Sequence, residues 1–257
     1  MTDYEHLEKG RREARIGLDS EQDIIDRINF DEKFQNLIKD CLLKLGFNVQ
    51  GKLRARRDGV KTDIFIQINE REEIGVSIKS STSTSFHHLD RRRLEEWKDF
   101  LNMPDEVFKI IKEAILRVAR NPRAKFILER DRSKIRDFFT SRLSEVLNEI
   151  FRGREEKLKL LIINNIKRRR IYIFRMDDVI EFLIKNATNN VCFTEKGIIR
   201  LGDFVTIQRK GGDGEHITIP KTNWNHPGNQ LQFKFSPLKF AEYVESGKVI
   251  DFCIIDY

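Results

Sequence analysis

Apolar positions along the chain follow two periods. Phe34, Leu37, Ile38, Cys41, Leu42 and Leu45 recur at i, i+3, i+4, i+7, i+8 and i+11, a stripe that predicts an amphipathic helix stopped at Gly46. Upstream, Ile24, Ile25, Ile28 and Phe30 mark another helix, with Ser20 as its cap and Asp23 answering three residues on. Residues 1–20 are charged and aperiodic, and read as a helical or partly ordered arm. Period two begins at DIFIQI, with Ile64, Ile66 and Ile68 on one face and Asp63, Phe65 and Gln67 on the other. After a polar turn over 69–73 comes EIGVSIK, where Gly75, Ser77 and Lys79 share a face. Residues 64–68 and 74–78 therefore read as a hairpin, entered through a short extended stretch at 47–50.

Six consecutive Ser/Thr residues at 80–85 are poor helix formers and predict a loop. Helical spacing resumes from Leu89 to Trp97, which sets Arg91, Arg92 and Arg93 on a helix. Residues 102–150 predict several helices, with Pro104 at the start of one and a break at Asn121 and Pro122. KLKLLII and RIYIF read as strands joined by the basic turn NNIKRRR, whose residues 167–170 are candidates for phosphate contact, and MDDVIEFLIKN as a helix. The last sixty residues alternate strand-like runs (191–193, 204–208, 217–219, 231–235, 249–255) with Gly, Asn and His turns, plus a helix at LKFAEYVESGK. The sum is an α+β protein: one mixed sheet flanked by helices, a helical insertion over 102–150 and a β-rich part over 190–257. We expect a single domain over 1–257, with its core at 20–100.

Composition narrows the classes. Forty-eight basic against 41 acidic residues give a formal charge of +7, a moderate tilt toward a polyanionic partner. Cys41, Cys192 and Cys253 have no metal-ligand spacing and read as thiols in a reducing cytoplasm. The chain shows neither a membrane-spanning apolar run nor the apolar core of a signal peptide, so a cytoplasmic location is expected. Its five histidines lack HExxH spacing, and Walker A and GxGxxG motifs are missing.

The hairpin carries the strongest chemistry. Its turn lies at the far end, so the two strands bring Asp63 and Lys79 together. A carboxylate, a main-chain carbonyl, waters and a phosphate make a coordination shell that Mg²⁺ accepts, and an amine beside it can orient a water. The competing account is structural: Asp63 caps a turn and Lys79 is a solvated strand end.

The ordered set LLKLGF, KTDIFIQI and VSIKSS resembles the PD-(D/E)xK nuclease superfamily, and more narrowly the MspI-like type II restriction endonucleases. The resemblance covers residues 30–95, with an echo in NWNHPGNQLQFKF. It implies a restriction-endonuclease-like fold and Mg²⁺-dependent, sequence-specific hydrolysis of double-stranded DNA to 5′-phosphate ends, by a monomer or homodimer. Asp63 would be the metal carboxylate, the Ile78 carbonyl a further ligand and Lys79 the catalytic lysine. Ser77 stands where the superfamily usually has an acid, and the MspI-like enzymes also have a neutral side chain there. Glu32, Gln35, Glu72 and Glu73 are the candidates to supplement the metal shell. Two alternatives stay open: a structure-selective repair or junction-resolving nuclease of the same fold, and a non-catalytic DNA-binding protein, for which Ser77 argues.

For DNA contact, Ser80, Ser81, Thr82, Ser83, Thr84, His87 and His88 offer hydroxyls and imidazoles beside that site. The C-terminal block concentrates Arg209, Lys210, Asn223, Asn225, His226, Gln230, Gln232 and Lys234, side-chain types that pair with adenine and guanine edges. Gln208, His216, Lys221 and Asn229 lie among them. Gln232 and Lys234 are expected to project outward while Leu231, Phe233 and Phe235 pack inward. A solvent loop and an ordinary polar hairpin are the competing accounts.

Overall fold

The computed structural model describes residues 3–57, 61–212 and 218–257, with side chains from residue 17 onward. The first elements are α1 (Asp3–Phe30), α2 (Glu32–Lys44), β1 (Arg54–Arg57), β2 (Ile64–Gln67), β3 (Glu73–Ser81) and β4 (His87–Arg92). Helices α3 (Leu94–Leu101), α4 (Asp105–Arg120), α5 (Arg132–Ser141) and α6 (Leu143–Phe151) follow. Then come β5 (Leu158–Asn165), β6 (Arg170–Arg175) and α7 (Met176–Ala187). The chain closes with β7 (Val191–Phe193), β8 (Ile199–Leu201), β9 (Val205–Arg209), β10 (Leu231–Phe235), α8 (Pro237–Gly247) and β11 (Phe252–Asp256).

These elements form two compact units, each with its own sheet. The first comprises Met1–Ser85, Phe151–Phe182 and Pro237–Tyr257; the second, Phe86–Ile150 and Leu183–Ser236. In the first unit the sheet order is β1-β2-β3-β5-β6-β11, antiparallel except for the parallel β3–β5 pair. Parallel strands need a long crossover, and here the whole second-unit segment 86–150 lies between them in sequence. The apolar faces of α1 and α2 (Ile24, Ile28, Phe34, Ile38, Leu42) bury Ile64, Ile66, Ile74, Val76, Leu160, Ile162 and Ile173 from one side of this sheet. Asp31 starts α2 by accepting the Phe34 amide at 3.0 Å. In the second unit the order is β4-β10-β9-β8-β7, all antiparallel. The α+β class and the mixed sheet are as the periodicity predicts, and no described helix is long and apolar enough to cross a membrane.

Several boundaries differ, each for a physical reason. Helix α1 runs unbroken through Ser20, which caps nothing; its hydroxyl bonds to Ser80 and Asn164 instead. Strand β1 is the charged RARR, placed by pairing with β2, while 47–50 form no strand. β3 continues to Ser81 because β5 pairs with it through Asn165, so the loop starts two residues later than the Ser/Thr run. His87–Arg92 is a strand because β10 pairs with it, overriding its helical spacing; Arg91 and Arg92 therefore lie on β4 and the helix begins at Leu94. Ile199–Leu201 pairs as β8 where no strand is expected. Residues 218 and 219 form no strand, and 217, like His216, lies outside the described residues.

Candidate active site

The segment carrying Asp63 is held by its backbone. Lys61 and Thr62 amides donate to the two carboxylate oxygens of Glu155, each at 2.7 Å. Next to them Gly75 lets β3 pass close to Thr62 and β5: a Cβ there would stand 2.8 Å from Thr62 Oγ1 and 3.1 Å from Leu158 Cα. The β2–β3 ladder makes its last bond at Asp63 N to Val76 O, 2.9 Å. One step further β2 has no backbone to offer, and the Asp63 side chain takes its place.

Asp63 Oδ2 accepts from Ile78 N at 2.6 Å, Ser77 Oγ at 3.1 Å and Lys79 Nζ at 3.3 Å. Lys79 Nζ also donates to the Ile78 carbonyl at 3.1 Å. Asp63, Ser77, Ile78 and Lys79 are thus brought together as the hairpin requires. All three bonds fall on one carboxylate oxygen, so Oδ1 has no protein partner among the described residues. Both charged side chains are about one-fifth exposed, open to a ligand from solvent.

A second carboxylate feels their charges. Glu21, on α1, carries a pKa raised above its ordinary value, first by burial and then by the charge of Asp63, against the opposing charges of Arg57 and Lys79. Arg57 Nη2 lies 3.4 Å from its carboxylate. Sequence reasoning misses Glu21, because Ser20 reads as a cap and puts its neighbour in a solvated first turn. A signal is nevertheless present: Glu21 stands three, four and seven residues before Ile24, Ile25 and Ile28, an acid in an apolar stripe. The other candidates for the metal shell do not reach the site. Gln35 is buried, donating to Ile28 O at 2.6 Å; Glu73 grips Arg56 at the distal end of the hairpin; Glu32 and Glu72 are exposed elsewhere. Among the described residues no group of three or more His, Cys, Asp or Glu forms a metal cage.

No family model and no curated relative matches the chain. Among solved structures, it is similar to a crystal structure of restriction endonuclease MspI in complex with its cognate DNA, at a TM-score of 0.58 and 15% identity, covering 89% of this chain and 92% of that one. The chain has a restriction-endonuclease-like fold.

On this restriction-endonuclease-like scaffold the expected DNA-contact residues divide. In the loop after β3, Thr82, Ser83 and Thr84 are exposed, whereas Ser80 turns inward to Ser20 Oγ at 2.5 Å. Ser81 is a correction: it is buried, its hydroxyl spent on Ser83 O at 2.7 Å. In the second unit His88 is exposed and His87 half-buried on β4. Gln232 is also a correction, since it is buried, 3.2 Å from His88 Nδ1, rather than projecting like half-buried Lys234. His226 is the third: 1% exposed, its Nδ1 accepts from Gly228 N at 2.9 Å, which makes it a buried brace of the 221–230 loop. Asn229, fully buried, braces the same loop by donating to the Lys221 and Asn223 carbonyls and accepting from Arg209 Nε at 2.8 Å. Exposed Asn223 and Asn225 remain at its surface, with Gln230 half-buried. Arg93 supports the loop from below, donating to the carbonyls of Trp224 and Asn225.

Arg209, Lys210 and Arg91 form a cationic cluster. Burial first, then the charges of Arg91 and Arg209, hold the Lys210 pKa below its ordinary value. Arg92 is not part of it, being tied to Asp90 at 2.9 Å and Glu149 at 2.6 Å. On the β5–β6 turn, Arg170 is likewise engaged by Asp256 and Glu245, while Lys167, Arg168 and Arg169 are exposed.

Proposed function

We propose that this chain is a Mg²⁺-dependent nuclease of the PD-(D/E)xK type that hydrolyses double-stranded DNA at a specific sequence, as type II restriction endonucleases do. The observation that carries this reading is the Asp63 carboxylate, fixed through one oxygen and open at the other, with Lys79 at its side. The donors fit the ion. Asp63 Oδ1, the Ile78 carbonyl and the Glu21 carboxylate are hard oxygens without sulfur or imidazole, as Mg²⁺ prefers, and two carboxylates in mutual repulsion are stabilised by a dication. Those three groups would hold it. When bound, Mg²⁺ supplies Lewis-acid stabilisation of the phosphoryl oxygens and lowers the pKa of coordinated water.

The chain's own residues do the rest. Ile78 N and Ser77 Oγ orient the Asp63 carboxylate, so Ser77 acts as a donor where an acid would be a ligand. Lys79 places an ammonium beside Asp63 that orients the attacking water and offsets charge developing on the phosphate. In the second unit, the Arg91–Arg209–Lys210 cluster and the 221–230 loop supply the groups that would read base edges and hold phosphates.

Incubating plasmid and linear phage DNA with the protein and Mg²⁺, then sequencing the ends, tests this. We expect discrete fragments with 5′-phosphate ends. Ser77 favours one second reading, a DNA-binding protein without catalysis, which predicts tight duplex binding and no Mg²⁺-stimulated nicking.

A further inference from the structure

On β1, β2 and β3 the pairing register fixes which residues share a face. Arg54 faces Gln67 and Arg56 faces Phe65; Phe65 faces Gly75. By alternation Arg54, Arg56, Phe65, Gln67, Asp63, Ser77 and Lys79 all lie on one side of the sheet, opposite the core packed on α1 and α2. The basic edge strand therefore belongs to the face that carries the candidate catalytic pair.

At this edge lies a cleft of about 520 Å³, walled by Phe30, Lys52, Arg54, Arg56, Gln67 and Glu73. Arg56 is committed, with a fork onto Glu73 at 3.0 and 2.9 Å and its guanidinium 4.8 Å from the Phe65 ring centroid. Lys52 and Arg54 are exposed, and have no hydrogen-bond or ion-pair partner among the described residues. Phe30, at the end of α1, is 85% exposed beside them. Charged residues on an edge strand often serve only to block strand addition. Here that task is already done: the Asn29 side-chain amide bonds both backbone groups of Ala55, at 2.9 and 2.8 Å. The two cations and the exposed aromatic need another account.

We propose that Lys52 and Arg54, with Phe30 as the apolar wall, bind the backbone phosphates of the duplex that flanks the scissile bond. Arg54 lies level with Gln67, four residues from Asp63 along the strand, about 13 Å at ~3.3 Å per residue. One DNA strand places a phosphate every ~3.4 Å along its axis, so a duplex lying along β2 would meet these cations about four nucleotides from the cut. The inference rests on the nuclease reading and adds a directional footprint to it.

The test is duplex binding in Ca²⁺ by the full chain, followed as a function of salt and flank length. Each phosphate contact removed lowers the log–log salt slope by about 0.9. Lys52→Ala/Arg54→Ala is expected to lower it by about 1.8, and Arg54→Glu to weaken binding further, while Lys33→Ala on α2 leaves the slope at its wild-type value. Trimming one flank below about four base pairs is expected to erase the difference between wild type and the double variant. An unchanged slope in the double variant, or a loss equal for long and trimmed duplexes, overturns the proposal while leaving the nuclease reading intact. Failure of wild type to bind any duplex overturns both. Matching thermal melts for all variants verify that the exposed substitutions leave the fold unchanged.

Discussion

Asp63 shows how one residue answers two accounts. As a strand-end cap it replaces the missing β2 backbone for Ile78 N, and as the proposed ligand it keeps an oxygen open beside Lys79. Its neighbour Glu21 has a pKa raised above its ordinary value. The folded state therefore holds that proton to higher pH than the unfolded chain does, so Glu21 ionisation costs stability as pH rises through the raised value. A dication held as proposed needs the ionised form, so its affinity is expected to rise with pH over the same window. Calorimetric Ca²⁺ titration from the acidic side of the carboxylate range to neutrality is expected to show that rise, and Glu21→Gln to flatten and weaken it; a pH-independent affinity in both proteins excludes Glu21 as a ligand. At this scale the sequence was partly legible. Asp63, Ser77 and Lys79 follow from strand alternation, which is local. Glu21 is brought in by the docking of α1, and the burial of His226, Gln232 and Ser81 depends on loop and strand contacts that residue type does not reveal.

Among the elements, β3 does most to position the site, through its close parallel approach to β5. Gly75 permits that approach, with Thr62 and the Leu158 backbone already within contact distance of where a Cβ would stand. Gly75→Val is expected to cost about 1–3 kcal/mol by overpacking, measured by urea denaturation; a wild-type midpoint shows that the neighbours yield. The α2 stripe and the DIFIQI strand were readable because burial on one face imposes a period. The charged β1 and the Arg-rich β4 were not, because each is a strand only through its partner, β2 or β10. Pairing also explains why β3 takes in Ser80 and Ser81, residues that by themselves suggest a loop.

For the molecule as a whole, the α+β class was legible from the alternation of helical and strand-like runs. The division into two units was not, since each gathers segments distant in sequence. The mutual repulsion within the second unit's cationic cluster, felt at Lys210, would be relieved by an anionic ligand. Arg209→Ala is expected to loosen the 221–230 loop as well as weaken DNA binding, because its guanidinium also bonds Asn229. Lys210→Ala is expected to weaken binding and reduce its salt slope by about one, read by fluorescence anisotropy across ionic strengths; an unchanged slope removes Lys210 from the interface.

We propose Asp63 and Lys79 as the pair that cleaves DNA. Its most direct measurement is the single-turnover cleavage of a duplex substrate in Mg²⁺ by wild type, Asp63→Ala and Lys79→Ala, alongside binding of the same duplex in Ca²⁺. A fall in cleavage on the order of 10³-fold or more is expected in each variant, with sequence-specific binding retained. Cleavage at the wild-type rate by both variants would contradict it.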